Sequence, residues 1–242
     1  MDRLLTAITA LTHLCLPQRC ILCRQLSHNH SNLCDYCQSD LNHFDYSLFD
    51  NLLLRPDIAR GISGVQFDTL ISLAPYQWPY NQWVADMKFR ENFAVAQLMA
   101  TLLSERLAIL LKQNPSLRPQ VILPMPVHRL RRFSRGYNQA GLLADVVAAK
   151  LNLPLDNDAL KRHKPTTAQS GLNKSDRKSN IKNAFIYSAK DYHHVAIIDD
   201  VLTTAATVNE TCKVLRAQGV TTISVWTIGV TLSQQPQKNT NC

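Results

Sequence analysis

Apolar residues recur along the chain in different rhythms, and each rhythm predicts a different element. Residues 67–74, 121–123, 195–198 and 222–228 are short apolar runs rich in β-branched residues, the first of them alternating in part. Runs of this kind predict strands buried on both faces, as in a parallel sheet covered by helices. Elsewhere the apolar spacing is three and four. Leu4, Ile8, Leu11 and Cys15 predict a short amphipathic helix over 3–15. Residues 84–87 predict a helical turn. A long helix runs over 94–111 and ends at Asn114-Pro115, and another runs over 139–151. Val208, Cys212 and Leu215 predict a helix that begins near Thr207. Two stretches lack rhythm. Residues 46–66, with Arg55-Pro56, Gly61 and Gly64, predict a linker. Residues 159–185 read as a long polar excursion with a short helix near 173–181, which marks a functional loop or a disordered basic segment. Strands alternating with helices predict an α/β domain over 67–231. It follows a small module in 1–45 and precedes a loose tail in 232–242.

The region around 195–207 carries the densest chemistry. The apolar run is followed by Asp199 and Asp200, then by Thr203, Thr204, Ala205, Ala206 and Thr207. Ligands of open α/β sheets bind beyond the carboxyl ends of the strands. A loop of small residues can aim several N–H groups at one point and hold an anion, and the following helix adds its positive end. Two adjacent carboxylates cannot serve a phosphate. They suit sugar hydroxyls or a sugar-bound Mg²⁺. Phosphate beside a diol implies a ribose 5-phosphate group. An ordinary strand–turn–helix with exposed acids is the bland alternative. The stretch resembles the signature of type I phosphoribosyltransferases that bind phosphoribosyl diphosphate (PRPP), with Ala205 where that signature has Gly. If the loop needs positive φ there, Ala costs about 1–2 kcal/mol.

Seven cysteines include two Cys-x-x-Cys pairs, Cys20/Cys23 and Cys34/Cys37, separated by ten residues. Each pair sets two thiolates on one turn, and two turns make a closed tetrahedral zinc site of structural type. Disulfides or free thiols are the alternatives. Cys15, His28, His30 and His43 lie nearby but are not needed. A segment this short folds on metal-binding energy.

The net charge of +8 is unevenly placed. Residues 106–144 hold seven Lys/Arg and no acid, and residues 159–190 hold eight with one Asp. Such blocks suit a diphosphate or nucleic acid, or are merely a solvated basic surface. Arg129, Arg131, Arg132 and Arg135 crowd the stretch after the 121–123 strand, where guanidinium forks could grip a diphosphate. Phe133 and Tyr137 among them would also suit stacking on single-stranded DNA. No apolar run approaches the ~20 residues of a membrane span. The first fifteen residues, with Asp2, do not read as a secretory signal, so the expected location is the cytoplasm.

Taken together, the four-Cys ribbon, Lys88, the Arg135-Gly136-Tyr137-Asn138-Gln139 segment, the series Arg162, Thr166, Gln169, Arg177, Asn180, Ala184 and Phe185, and Asp199-Asp200 resemble the ComF family of bacterial competence proteins. The resemblance implies a zinc finger joined to a parallel-sheet, Rossmann-like phosphoribosyltransferase domain that acts in DNA uptake. On that reading Asp199 and Asp200 are catalytic and residues 203–207 bind the 5-phosphate. Lys88 and the arginine loop take the diphosphate, and Mg²⁺ accompanies PRPP. The alternative is a module without catalysis that binds single-stranded DNA or other competence proteins.

Overall fold

The structure is a computed structural model. It describes residues 19–27, 32–62, 64–127, 137–163, 181, 183–188 and 190–233. The predicted helix over 3–15 lies outside them, as do Arg129, Arg131, Arg132, Arg135, Gln169, Arg177 and Asn180. The chain divides into two compact units, residues 1–42 and 43–242. In the first, the described residues form a short antiparallel bridge between Arg19 and Leu26 and helix α1, Asp35–Ser39.

The second unit is built on a four-stranded sheet in the order β1-β6-β5-β2: β1 is Thr69–Pro75, β2 Val121–Pro124, β5 His194–Leu202 and β6 Thr222–Val230. Every neighbouring pair is parallel. The apolar runs form this sheet because all seven residues of β1 and all four of β2 are buried, as are eight of the nine in β6. Helix α2 (Pro56–Ala59) precedes the sheet, while α3 (Tyr80–Phe89) and α4 (Phe93–Gln113) link β1 to β2. Asn92 caps α4 by accepting from the Val95 N–H at 3.2 Å, and Pro115 follows its end. Helix α5, Gln139–Leu151, packs on β2 and β5 and against α4, and ends at Asn152 in the left-handed region. Helix α6, Ala206–Ala217, joins β5 to β6.

Three features differ from what the sequence predicts. Residues 46–66 are not a linker. Leu52 and Ile58 are fully buried, and the segment covers the outer edge of β1. The Phe44 N–H donates to the Leu73 carbonyl, the Tyr46 hydroxyl bonds both the N–H and the carbonyl of Ser72, and Asn51 Oδ1 accepts from Leu70. An open strand edge presents unpaired backbone groups, and these contacts satisfy them. Single anchors spaced by turns leave no periodicity to read. Helix α4, at 21 residues, is long and apolar enough to cross a membrane, yet eleven of its residues are buried, including Met99, Leu103 and Leu107, and it packs on β1, β6 and α5. The polar excursion, finally, is closed at its ends by a two-stranded antiparallel sheet, β3 (Leu160–Arg162) with β4 (Phe185–Tyr187). Ser233, at the start of the expected tail, bonds the Asp57 carbonyl through its N–H and hydroxyl.

Candidate functional site

In the first unit, the four sulfurs of Cys20, Cys23, Cys34 and Cys37 lie within 4.8 Å of one another. Cys23 Sγ and Cys34 Sγ are 3.6 Å apart. Four thiolates about 2.3 Å from one zinc ion would stand roughly 3.8 Å apart, so the spacing fits. It is far too long for a disulfide bond. Local turns produce this spacing. The Arg24 N–H bonds the Cys20 carbonyl at 2.9 Å, with Arg24 in the left-handed region, and Cys34 stands at the N-terminus of α1. Burial works against a Cys20 thiolate, but backbone N–H groups of Cys23, Cys34 and Leu22 outweigh it and bring its pKa down to about 6. The four cysteines are thus compatible with a structural zinc ion. His43 is not among them. It belongs to the second unit, where burial, and secondarily Arg106, lowers its pKa to about 4.

In the second unit a cleft of about 280 Å³ opens at the carboxyl ends of β2 and β5. Its floor is the stretch 199–208. Strand β5 runs on through both acids, so Asp199 pairs in register with Thr227 and Val201 with Gly229. The Asp199 Oδ1 accepts the Asp200 N–H at 2.9 Å. Burial, together with the Asp200 charge, raises Asp199 to about 7. The chain then turns at 203–205 into α6. Ala205 is buried at φ +57°, the left-handed conformation that the missing glycine would favour, and no side chain caps the helix. Among the described residues, the amide donors at the start of α6 have no side-chain acceptor. Thr203, Thr204, Ala206 and Thr207 retain access to solvent.

The walls come from distant parts of the chain. Lys88, in the last turn of α3, places Nζ 2.9 Å from Asp200 Oδ1 and 2.8 Å from Oδ2. The sequence reading assigned this lysine to a diphosphate; the structure pairs it with the acid. Asn138 and Gln139 enter from the start of α5. Asn138 donates from Nδ2 to the Met125 carbonyl at 3.2 Å, while its Oδ1 and the Gln139 Nε2 are buried without a protein partner among the described residues. Tyr137 does not line this cleft. Its hydroxyl donates to the Met87 carbonyl, and its ring lies 5.1 Å from that of Phe93.

Sequence reasoning missed Tyr76 and the 125–127 wall, and did not count Arg162 as a site residue. A methyl group on Gly229 would meet the Tyr76 ring at 3.0 Å, so that glycine permits the close approach of a cleft residue. An isolated glycine inside a buried strand run was the available signal.

No protein-family model matches the chain. Competence protein F of Haemophilus influenzae is 33% identical over 217 residues, covering 86% of this chain and 95% of that protein. The chain belongs to the ComF family of competence proteins. Other relatives of this ComF-family chain carry the name DNA utilization protein YhgH. That of Salmonella typhimurium is 30% identical over 227 residues, covering 90% of this chain and all of the relative. That of Escherichia coli K12 is 27% identical over 214 residues. Among solved structures, the hypoxanthine phosphoribosyltransferase of Trypanosoma cruzi superposes on 55% of this ComF-family chain and 63% of its own, at 16% identity and a TM-score of 0.35. The Leishmania donovani hypoxanthine-guanine enzyme reaches a TM-score of 0.34 over 60% of this chain. Superposition at this level says nothing of ligand or activity.

Proposed function

We propose that the cleft of the α/β unit binds a phosphoribosyl ligand, PRPP, and that the chain serves the handling of incoming DNA in the cytoplasm. The observation that carries the first part is the juxtaposition at one strand end of uncapped helix amides with a pair of acids. The amides of 203–207 suit a 5-phosphate, while Asp199 and Asp200 suit ribose hydroxyls or a ribose-bound Mg²⁺. Asn138 Oδ1 and Gln139 Nε2, buried and without a partner among the described residues, support a polar ligand, because orphaned polar atoms are costly without one. Mg²⁺, when bound, would neutralise the diphosphate leaving group. The residues' own work is to hold the ribose and to favour positive charge developing at its anomeric carbon while a nitrogen nucleophile displaces diphosphate. Arg129, Arg131, Arg132 and Arg135 are proposed to grip that diphosphate, and Gln169, Arg177 and Asn180 are further residues of the family motif. The names of the relatives support the role in DNA uptake. Zinc on Cys20, Cys23, Cys34 and Cys37 is proposed to be the ion that holds the first unit.

A second reading, a binding module for single-stranded DNA that keeps the pocket without turnover, gains support from Ala205. A strained residue at the phosphate loop suits relaxed catalytic demand. Two titrations separate the readings. PRPP binding that needs Mg²⁺ and disappears in Asp199→Asn/Asp200→Asn supports the first. Steeply salt-dependent binding of a single strand, unchanged by that double substitution and without PRPP binding, supports the second.

A further inference from the structure

The Lys88 ammonium occupies both oxygens of the carboxylate that the proposed ligand would need. Neither partner is loosely exposed: the lysine side chain is 26% accessible and that of Asp200 13%. The lysine is also anchored from outside its own helix. The carbonyl of Met87, the preceding and fully buried residue, accepts the Tyr137 hydroxyl, and Tyr137 packs on Phe93 at the start of α4. The next residue, Asn138, is fixed to Met125 at the end of β2. The backbone that presents Lys88 is thereby tied to the loop that delivers Asn138 and Gln139 to the cleft. Gln139 is 3% exposed and lines the cleft, and its Nε2 has no partner among the described residues.

An ammonium that bridges both oxygens of Asp200 stands where a divalent ion chelated by both would have to sit, so the two cations compete for that position. We infer that Lys88 is the resident counter-ion of Asp200 and that ligand enters by an exchange of partners. The inference rests on the phosphoribosyl reading. A divalent ion carried by the diphosphate ester takes Asp200, and the released ammonium moves to the negative oxygens of the ester. A bare divalent ion must displace the ammonium and offers it nothing in return. Lys88 thus makes the cleft select the metal–diphosphate ester over the free metal. Tyr137 is a positioning residue for this exchange, acting through the Met87 carbonyl.

The test measures Mn²⁺ binding by electron paramagnetic resonance on the full chain, with the cysteine site first saturated with zinc. Lys88→Met should bind Mn²⁺ about twofold to fivefold more tightly than wild type, the range expected for loss of one partly exposed competing charge. Lys88→Arg, which keeps a cation there, should stay at the wild-type value. Tyr137→Phe should tighten Mn²⁺ less than Lys88→Met, and adding Asp200→Asn to Lys88→Met should abolish the gain. PRPP should raise Mn²⁺ affinity in wild type and lose most of that effect in Lys88→Met. Equal or weaker Mn²⁺ binding in a folded Lys88→Met protein overturns the exchange; Lys88→Gln repeats the measurement should the methionine variant fail to fold. If Lys88→Met tightens Mn²⁺ while neither protein binds PRPP, Lys88 is still the counter-ion of Asp200, but the exchange with a diphosphate ester falls together with the phosphoribosyl reading. If wild type binds PRPP with Mg²⁺ while Mn²⁺ affinity does not respond to residue 88, the exchange falls and the phosphoribosyl reading stands.

Discussion

The two units of this chain carry sites built on opposite plans. In the first, four side chains of one type, from two turns ten residues apart, already stand at ligand spacing. In the second, the cleft draws on the ends of β2, β5, α3 and α5, and its polar atoms are partly unpaired or paired with one another. The difference teaches what each site can do. A closed set of four thiolates leaves a metal no open position, so it can only hold structure. An assembly from distant elements, with a lysine held against an acid, can change partners when something enters.

The two units should part most visibly at the cysteines. Metal removal should unfold the first unit and leave the second standing, since the α/β unit has its own buried core. Chelation followed by limited proteolysis should release fragments ending near residue 42 while the circular dichroism of the remainder persists. A single transition that takes the whole chain would refute the division. Next comes the core of the sheet. Trp226 is fully buried on β6, and Trp226→Ala should cost the second unit about 3–5 kcal/mol, read from denaturant unfolding, without releasing metal from the first.

A smaller effect should appear with pH. The His43 pKa is lowered on folding, so the unfolded chain takes up its proton first. Stability from the neutral ring is complete above about 6.5 and is lost as pH falls toward about 4. His43→Leu should flatten the melting temperature of the second unit across that window; an unchanged slope would contradict it. The smallest effect sharpens the cleft itself. Ala205 stands in the left-handed region, and Ala205→Gly should stabilise the second unit by about 1 kcal/mol while tightening, not weakening, phosphate-ester binding.

The two plans also differ in how far they could be read from sequence. Contiguous features were legible. The paired Cys-x-x-Cys turns, the apolar run into Asp199-Asp200, and the small-residue loop into α6 each occupy one stretch of chain, and Ala205 takes the positive φ that the missing glycine implies. Helix α5 has the bounds its periodicity predicts. What was not legible depends on residues far apart in sequence. Nothing local tells that Lys88 meets Asp200, that Tyr137 reaches Met87, or that Tyr76 needs Gly229. The edge cover over 46–66 was misread for the same reason. Tyr46 and Asn51 act singly, through hydrogen bonds to β1, and single anchors have no period.

The function proposed for the cleft turns on where a phosphate sits. A crystal of the protein soaked with ribose 5-phosphate and Mg²⁺ tests it most directly. The expected result is a phosphate within hydrogen-bond distance of the amides of residues 203–207, the ribose hydroxyls turned toward Asp199 and Asp200, and Lys88 withdrawn from Asp200. A sugar phosphate bound away from α6, or a cleft filled by the protein's own side chains, would contradict it.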